Sequence, residues 1–359
     1  MKLKSCHQPF LLPPNRVFRN YLGGKVLDEI EGKPGPRDSN FPEDWIGSAT
    51  RAINPGREHL EEGIGTALTA DGKEIRIDEL IKAGPQAVLG DTHVKAFGTG
   101  PQLLVKYLDA SIRLHMQAHP SVEWSLRYLN DDKGKTEAWW VLGSRMPNPY
   151  VYFAFQRPPS AEEWGRMIKE QDTAAMLDCF DKIPVSPGDV LLIKGGIPHA
   201  IGEGLFVLEI MEPTDYVVKT EWDIGGIKLT EEAATMGRGT ENILDIFDYT
   251  AYPKKMVKEY FGPCPRTAVL TETGREETLL EAPQTDRVEV RRLRTTGPFR
   301  PETDGRFSIL IVVDGRGSVR AGGAGVEVQR WSKVLIPACV DDLEIDGTLH
   351  LARCMPPKP

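Results

Sequence analysis

The spacing of short apolar runs constrains the fold of this 359-residue chain more than any other feature of its sequence. From about residue 87 to residue 222, runs of a few apolar residues are separated by Gly, Pro and Asp, a pattern typical of strands joined by turns. A helical protein would instead show longer segments with a period of 3.6 residues. The sequence therefore predicts a mainly β fold. The runs that carry this prediction are 103–108, 137–142, 150–155, 190–193 and 205–210.

Two segments interrupt the β pattern with helix signals. Ser160 and Glu163 have the spacing of a capping box, which predicts a helical insertion near 160–180. The stretch 230–249 also has a helical pattern, but two glycines interrupt it. We therefore expect two short helices there, within a helical segment at 229–262.

The sequence also suggests how the chain is organised into two β-barrels. A turn, a short apolar strand and a proline-bearing turn follow one another around 190–193 and again around 334–336, which favours two barrels of similar build. The N-terminal residues are rich in Pro, Gly and charge, and we expect them to wrap around the first barrel and contribute to it. The predicted segments are 1–84 (wrapping segment), 85–228 (first barrel), 229–262 (helical segment) and 263–359 (second barrel).

The second barrel is expected to be structural. No imidazole follows its strand at 334–336, so the metal ligands expected in the first barrel have no equivalent there. Within it, Asp314-Gly315-Arg316-Gly317 follows the apolar run 307–313, and these residues predict a hairpin turn.

Composition excludes several classes of partner. The formal net charge of −8 leaves no basic surplus to displace counterions, so nucleic acid is not expected as a partner. We expect no membrane interaction, because no apolar run is long enough to span a bilayer and the first residues lack the apolar core of a signal peptide. The five cysteines are dispersed without a Cys-x-x-Cys pair, which favours a reducing cytoplasm.

Four residues form a candidate metal site. Gln117 and His119 alternate with apolar residues on a predicted strand at 113–119 and therefore share a face. Glu137 opens a strand whose opposite face is apolar, and His199 follows a Gly-Gly-x-Pro turn. One amide, one carboxylate and two imidazoles suit a borderline divalent metal such as zinc.

Each of these residues also has an ordinary structural explanation. A lone His or Glu is more often exposed, or hydrogen bonded in the core, than bound to a metal. The interpretation as a metal site depends on all four converging. His115 shares the predicted face but lies about 13 Å along the strand from His119, so we expect it to be a neighbour of the substrate rather than a ligand.

At these motifs the chain resembles the type I mannose-6-phosphate isomerases (phosphomannose isomerases), zinc-dependent members of the cupin superfamily. The resemblance is most specific over 103–223 and includes 42–48. It implies a mainly β fold of two cupin-type jelly-roll barrels with a small helical subdomain. It also implies one Zn²⁺ per chain, or another divalent metal, held by Gln117, His119, Glu137 and His199.

The resemblance also implies roles around the metal. Glu209 matches a candidate catalytic base, Lys135 a lysine that binds substrate and assists catalysis, and Lys219 a catalytic cation. Further substrate-binding residues are expected at Lys106, His115 and Asp215.

Two of these positions depart from the family pattern. Lys219 stands where the family has arginine, and His115 stands where many members have serine. Since arginine binds phosphate through a planar fork and lysine does not, phosphate recognition is the property that these departures affect.

The function implied is reversible aldose–ketose isomerisation of mannose 6-phosphate and fructose 6-phosphate through an enediolate, by a cytoplasmic enzyme whose partner is a small sugar phosphate. Two alternatives stay open: an isomerase of another, unphosphorylated sugar, and a non-catalytic sugar-binding cupin. A clear preference for mannose over mannose 6-phosphate in a turnover assay identifies the first alternative. Sugar binding without isomer formation identifies the second.

Overall fold

The computed structural model describes residues 6–54 and 56–359, and its architecture is mainly β with several sheets, as the sequence predicts. The strands are β1 (Phe10–Leu11), β2 (Arg16–Val17), β3 (Glu43–Ile46), β4 (Thr66–Leu68), β5 (Glu74–Arg76), β6 (Leu104–Asp109), β7 (Gln117–Ala118), β8 (Glu137–Ser144), β9 (Tyr150–Phe153), β10 (Lys182–Pro184), β11 (Val190–Ile193), β12 (His199–Ile201), β13 (Leu205–Met211), β14 (Val218–Lys219), β15 (Asp223–Ile224), β16 (Ile227–Lys228), β17 (Arg266–Leu270), β18 (Gly274–Leu280), β19 (Glu289–Thr296), β20 (Ser308–Ala321), β21 (Ala324–Gln329), β22 (Lys333–Ile336) and β23 (Glu344–Met355).

The helices are short. They are α1 (Lys25–Ile30), α2 (Ile77–Ala83), α3 (Pro85–Leu89), α4 (Asp91–Phe97), α5 (Val122–Tyr128), α6 (Ala161–Glu170), α7 (Thr173–Asp178), α8 (Glu231–Ala234) and α9 (Val257–Phe261), with 3-10 helices at Thr240–Asn242, Leu244–Ile246 and Lys254–Met256. Among the described residues, none of these helices combines the length and apolar character needed to cross a membrane.

The chain divides into two compact units. The terminal unit comprises the described residues of Met1–Val17, Asp44–Lys106 and Pro263–Pro359, and the central unit comprises Phe18–Glu43 and Tyr107–Gly262. The expected segments are continuous in the chain, whereas each of these units combines separate stretches and both share the described part of the N-terminal region. Most of it clusters with the C-terminal residues, whereas Phe18–Glu43 belongs to the central unit.

The terminal unit is built on one large antiparallel sheet with the order β17-β18-β19-β23-β20-β22-β1-β4-β5, and β21 pairs with β20. The strands β1, β4 and β5 come from the N-terminal region, and Phe10 pairs with Leu335 across β1 and β22. Buried aliphatic side chains on this sheet, such as Leu310, Val334 and Leu351, form one apolar cluster.

The hairpin turn predicted at Asp314-Gly315-Arg316-Gly317 is wrong. These residues lie inside the continuous strand β20, and the chain turns instead between Ala321 and Ala324. A Cβ atom on Gly315 or Gly317 would lie 2.0 Å from a backbone oxygen of β23. The glycines therefore allow close contact between two strands, at a place where the register shifts between Val312 and Asp314.

The central unit contains two sets of antiparallel strands. One sheet has the order β10-β9-β12-β7-β14, and the other contains β11-β8-β13, with β6 next to β13. The predicted strands at 137–142, 150–155, 190–193 and 205–210 are confirmed with small shifts of their ends. The strand predicted at 113–119 is shorter than expected, because only Gln117–Ala118 has strand geometry.

Two apolar clusters lie on opposite faces of the five-stranded sheet. Ala118, Ala200 and Val218 face the cluster that contains Trp164, while Phe153 and Ile201 face the cluster that contains Trp139 and Val207. Because side chains alternate along a strand, Gln117, His199 and Lys219 lie on the Trp139 side of the sheet. The same alternation places Glu137 and Glu209 on the faces of β8 and β13 that pack into this cluster.

The structure has two helices in the region 160–180, α6 and α7. The predicted capping box is present: Glu163 N–H donates to Ser160 Oγ over 3.2 Å, and Ser160 N–H donates to the Glu163 carboxylate over 2.9 Å. The apolar faces of the two helices bury Trp164, Ile168 and Met176 against the sheet. The stretch 230–249, where two short helices were expected, contains the short helix α8 and two 3-10 helices, at Thr240–Asn242 and Leu244–Ile246.

Candidate metal centre

Strand pairing in the central unit brings three predicted ligands together. His199 is the first residue of β12 and pairs with Gln117 of β7, which places His119 just beyond the end of β7. Glu137 is the first residue of β8 and lies between Ile193 and Met211 of the neighbouring strands. Each ligand thus begins or follows a strand, where the backbone is held by its neighbours.

Three of the side chains converge on one point. One potential ligand atom from each of His119, Glu137 and His199 lies within 4.8 Å of the other two. His119 Nε2 is 3.2 Å from Glu137 Oε2, and His199 Nε2 is 3.5 Å from Glu137 Oε1. All three side chains are buried. Two imidazoles and one carboxylate form a donor set suited to a borderline divalent cation, so the residues fit a metal.

Backbone carbonyls orient both imidazoles. His119 Nδ1–H donates to the Tyr216 carbonyl over 2.8 Å, and His199 Nδ1–H donates to the Ile197 carbonyl over 2.8 Å. This arrangement fixes the tautomer and leaves each Nε2 with a lone pair directed at the centre. In metal sites, an imidazole that binds the metal through one nitrogen commonly donates the N–H of its other nitrogen to such an acceptor.

The electrostatics of the three residues favour their metal-binding forms. Burial foremost lowers the pKa of both histidines, and for His199 burial together with His119 lowers it to about 3. Burial opposes ionisation of Glu137, but Lys135 and the imidazoles outweigh it and hold the pKa of the carboxyl well below its usual range. The centre therefore presents two neutral imidazoles and one carboxylate, and a cation offsets the repulsion between their lone pairs.

The fourth predicted ligand, Gln117, lies at the edge of this group. Its amide Nε2 is 3.3 Å from His199 Nε2. Lys135 is closer to the centre than expected for a residue that binds only substrate. Its ammonium is 3.1 Å from His119 Nε2 and 3.4 Å from Glu137 Oε2.

The other predicted residues of the central unit occupy different positions around this centre. Glu209 is buried on β13 and is one of the charges that raise the pKa of Tyr21, after burial and Glu43. Asp215 forms a bidentate pair with Arg19, with both distances 2.9 Å. The predicted substrate-binding carboxylate is therefore already engaged by an arginine.

Lys219 lies opposite Gln117 in the β7–β14 pair, and its ammonium donates to Asn20 Oδ1 over 3.3 Å. Burial, and then Arg19, lowers the pKa of Lys219 to about 8. His115 is buried, and its Nδ1–H donates to the Glu221 carbonyl over 2.8 Å. Burial, and then Lys219, lowers the pKa of His115 to about 4.

Lys106 belongs to the terminal unit. It is buried, and its ammonium lies 5.8 Å from the centre of the Trp45 ring. Its assignment as a substrate-binding residue stays a prediction.

Sequence reasoning assigned no role to the segment 18–24, although two of its residues contact predicted site residues and a third contacts Glu43. Arg19 pairs with Asp215, Asn20 accepts from Lys219, and Tyr21 donates to Glu43 over 2.6 Å. The only sequence signal for a functional role here is the group of polar and aromatic residues that precedes the Gly23-Gly24 pair. No motif spacing connects them to residues about 200 positions later in the chain.

Comparison with known proteins finds relatives named mannose-6-phosphate isomerases. No family model matches the chain. It is 24% identical to the probable mannose-6-phosphate isomerase GmuF of Bacillus subtilis over 342 residues, covering 95% of this chain and 96% of the relative. It is 24% identical to a mannose-6-phosphate isomerase of Streptococcus mutans over 289 residues, covering 80% and 83%.

A solved structure has a similar fold. The crystal structure of mannose 6-phosphate isomerase from Bacillus subtilis matches with a TM-score of 0.74 at 20% identity, covering 97% of this chain and 99% of that one. The likeness thus extends through nearly the whole chain in both sequence and fold. It confirms the resemblance found from the motifs: the chain is a homologue of the mannose-6-phosphate isomerases.

Proposed function

We propose that this protein is a metal-dependent aldose–ketose isomerase that interconverts mannose 6-phosphate and fructose 6-phosphate through an enediolate. The observation that carries the proposal is the buried convergence of His119, Glu137 and His199. It occurs in a chain that matches two curated relatives over most of their length, and both are named mannose-6-phosphate isomerases.

The metal proposed is one Zn²⁺ per chain, held by His119, Glu137 and His199 with Gln117 as the fourth ligand. Mixed nitrogen and oxygen sites also accept other divalent ions, so the donor set specifies a divalent cation more strictly than it specifies which metal is bound. When bound, such a cation acts as a Lewis acid that orients sugar oxygens and stabilises negative charge on them.

The protein's own groups then carry the proton and the substrate. Isomerisation requires a base that removes a proton from the carbon beside the carbonyl and returns it to the neighbouring carbon. Glu209 is the proposed base, because it is a buried carboxylate on the same interior side as Glu137. Lys219 is placed to add positive charge near the developing oxyanion.

Substrate binding is proposed for Lys106, His115, Lys135 and Asp215. For Asp215 the contact with Arg19 changes the form of the proposal, since the carboxylate holds an arginine whose side chain is 14% exposed. The pair Arg19–Asp215 then contacts the substrate as a unit.

We further propose that the sheets form two cupin-type jelly-roll barrels with a small helical subdomain at α6 and α7, and that the enzyme works in the cytoplasm. Separate apolar clusters support the barrels, two in the central unit and one in the terminal unit. Free cysteines at positions 6, 179, 264, 339 and 354 support a reducing compartment.

One observation favours a second candidate, isomerisation of an unphosphorylated sugar. Lys219 stands where the family has arginine, and its pKa of about 8 makes it a weaker anion binder than a guanidinium. The non-catalytic alternative has no comparable support, because a sugar sensor needs no buried base.

The test combines elemental analysis of the purified protein with a coupled assay for fructose 6-phosphate. We expect about one equivalent of zinc and turnover of mannose 6-phosphate that chelation abolishes. His199→Ala should lose both the metal and the activity, and an active, metal-free variant refutes the site. A clear preference for mannose over mannose 6-phosphate supports the second candidate.

A further inference from the structure

We propose that His115 is a specificity-determining residue whose Nε2 accepts a hydrogen bond from one hydroxyl of the bound sugar, in a subsite that it forms with Lys219. The inference rests on the proposed function, because it concerns the substrate of the same site. It assigns His115 to a hydroxyl group and not to the phosphate.

The imidazole of His115 is held in one orientation. Its Nδ1–H donates to the Glu221 carbonyl over 2.8 Å. The Glu221 carboxylate is held in turn, because Arg113 donates to both of its oxygens over 2.6 and 2.7 Å and Met116 N–H donates over 2.7 Å. A carbonyl only accepts, so the hydrogen of the neutral ring lies on Nδ1 and Nε2 carries a lone pair.

That lone pair has no partner in the described part of the chain. The His115 residue is only 3% exposed, and no hydrogen bond reaches its Nε2 from the described residues. A buried acceptor without a donor costs about 1–3 kcal/mol, so a native structure keeps one where something else supplies the donor.

The position of the ring indicates where the donor comes from. The next side chain, Met116, is buried in the Trp164 cluster, on the opposite side of the sheet from Gln117 and Lys219. His115 lies beside β14, because Thr220, the residue after Lys219, donates its N–H to the Met116 carbonyl over 2.9 Å. In agreement with this, Lys219 is the nearby charge that acts most strongly on the ring. The His115 ring thus lies near Lys219, one of the residues that the proposed function assigns to the substrate site.

The chemistry of the pair selects a hydroxyl. Phosphate oxygens near neutral pH are acceptors, and a second acceptor at Nε2 repels them. A hydroxyl can donate to Nε2 and accept from the Lys219 ammonium, which satisfies all three groups. The subsite therefore favours a sugar with a free hydroxyl at one position and disfavours a deoxy analogue there.

Two matched variants test the hydrogen bond. In His115→Asn the short amide retains a donor for the Glu221 carbonyl but places nothing at Nε2. In His115→Gln the longer amide places an acceptor near the Nε2 position. The substrates are mannose 6-phosphate and its 3-, 4- and 5-deoxy analogues, with the zinc-loaded full chain. The variants' circular dichroism and zinc content establish that they are folded and loaded.

With the wild type we expect one deoxy analogue to lose about 10- to 100-fold in kcat/KM, and the others to lose less. His115→Asn should lose a similar factor with mannose 6-phosphate, but lose nothing further with that one analogue. His115→Gln should recover part of the discrimination. A merely structural role predicts equal losses on every substrate, and that result overturns the inference, as does an unchanged His115→Asn variant.

The proposed function can fail separately. If wild-type protein saturated with zinc leaves mannose 6-phosphate unchanged, the isomerase proposal is refuted. The same sugars are then compared by calorimetric binding to the zinc-loaded wild type and His115→Asn. Loss of discrimination for one hydroxyl supports the subsite, and identical binding or no binding overturns it.

Discussion

Replacing Lys135 should tighten metal binding while it removes catalytic activity. The Lys135 ammonium lies 3.1 Å from His119 Nε2 and 3.4 Å from Glu137 Oε2, which are two of the atoms that a metal would take. In metal-free protein the ammonium neutralises the buried carboxylate. A bound divalent cation makes that contribution redundant and also repels the ammonium.

The geometry gives the size of the effect. Two unit charges 3.4 Å apart interact by about 5 kcal/mol at an effective dielectric constant of about 20. Removing one partner of a buried ion pair generally costs about 3–5 kcal/mol. We therefore expect Lys135→Met to lose about 3–5 kcal/mol of unfolding free energy without metal. With saturating zinc the loss should fall to about 1 kcal/mol, because the cation now compensates Glu137.

These two values imply a change in affinity. If the variant destabilises the metal-free state by about 2–4 kcal/mol more than the zinc-bound state, zinc binds about 30- to 900-fold more tightly. Competition with a chromophoric chelator measures this affinity. Denaturation followed by tryptophan fluorescence, with and without a chelator, measures the two stabilities.

Lys133→Met is the matched control, because Lys133 lies in the same loop and its side chain is 36% exposed beside Asp132. Surface pairs of this kind contribute about 0–1 kcal/mol, so neither stability nor zinc affinity should change appreciably. If Lys135→Met binds zinc no more tightly than the wild type, or loses the same stability with and without metal, the ammonium does not stand in for a cation at Glu137.

Three further predictions concern charge and positioning. As pH rises through about 8, Lys219 loses its proton, so kcat/KM of the wild type should fall. In Lys219→Arg, which should retain or exceed wild-type activity, kcat/KM should stay level. A pH profile of both proteins checks this. Tyr216 O–H donates to Asp131 over 2.5 Å, and the Tyr216 carbonyl accepts from the His119 imidazole of the candidate metal centre. Asp131→Asn should therefore weaken zinc binding about 10-fold, whereas Asp132→Asn should leave it unchanged. Titration with a chelator measures the zinc affinity of both variants. Burial foremost lowers the pKa of His350 to about 4, so on acidification the unfolded state takes up the proton before the folded state does. The free energy of unfolding should therefore fall by about 1–2 kcal/mol between pH 6.5 and 4. Denaturant titrations should show that His350→Gln lacks this dependence of stability on pH.

Each of these three has a clear contrary outcome. Parallel pH profiles for Lys219 and its arginine variant exclude the lysine as the titrating group. Equal zinc affinity in Asp131→Asn and Asp132→Asn removes the positioning role of Asp131. An unchanged acid slope in His350→Gln assigns that slope to other groups.

Local sequence signals predicted those parts of the fold that depend on local interactions. The capping box at Ser160 and Glu163 is a contact between residues three apart, and it forms as predicted. The strands at 190–193 and 205–210 follow from short apolar runs that only a buried sheet accommodates. Such features need no knowledge of the rest of the chain.

The misassigned elements depended on distant partners. Asp314-Gly315-Arg316-Gly317 has the composition of a turn, yet close contact with β23, about 30 residues further along the chain, makes it strand. The pairing of β1 with β22 likewise joins residues more than 300 positions apart. Turn propensity is weaker than this tertiary pairing, so the local signal gave the wrong answer.

For the candidate site, the same distinction separates the metal ligands from their surroundings. His119, Glu137 and His199 could be found because residue types that ligate metals are few, and each stands at a strand end or a proline turn. Arg19 could not be found in this way, since its role depends on Asp215, and an arginine in a polar N-terminal segment is ordinarily a surface residue.

The contact between Arg19 and Asp215 also bears on how this chain compensates for Lys219. Arg19 lies near enough to Lys219 to lower its pKa, so the two cations act on the same region. Asp215 takes both nitrogens of the fork and Glu43 lies 3.4 Å from Nε, which leaves Arg19 little capacity for a bidentate phosphate contact. Arg19 therefore does not replace the family's arginine as a phosphate fork. Burial foremost, and then the charge of Arg19, lowers the pKa of Lys219 to about 8, so at neutral pH its side chain is still mainly the ammonium that donates to the sugar hydroxyl in the proposed subsite with His115.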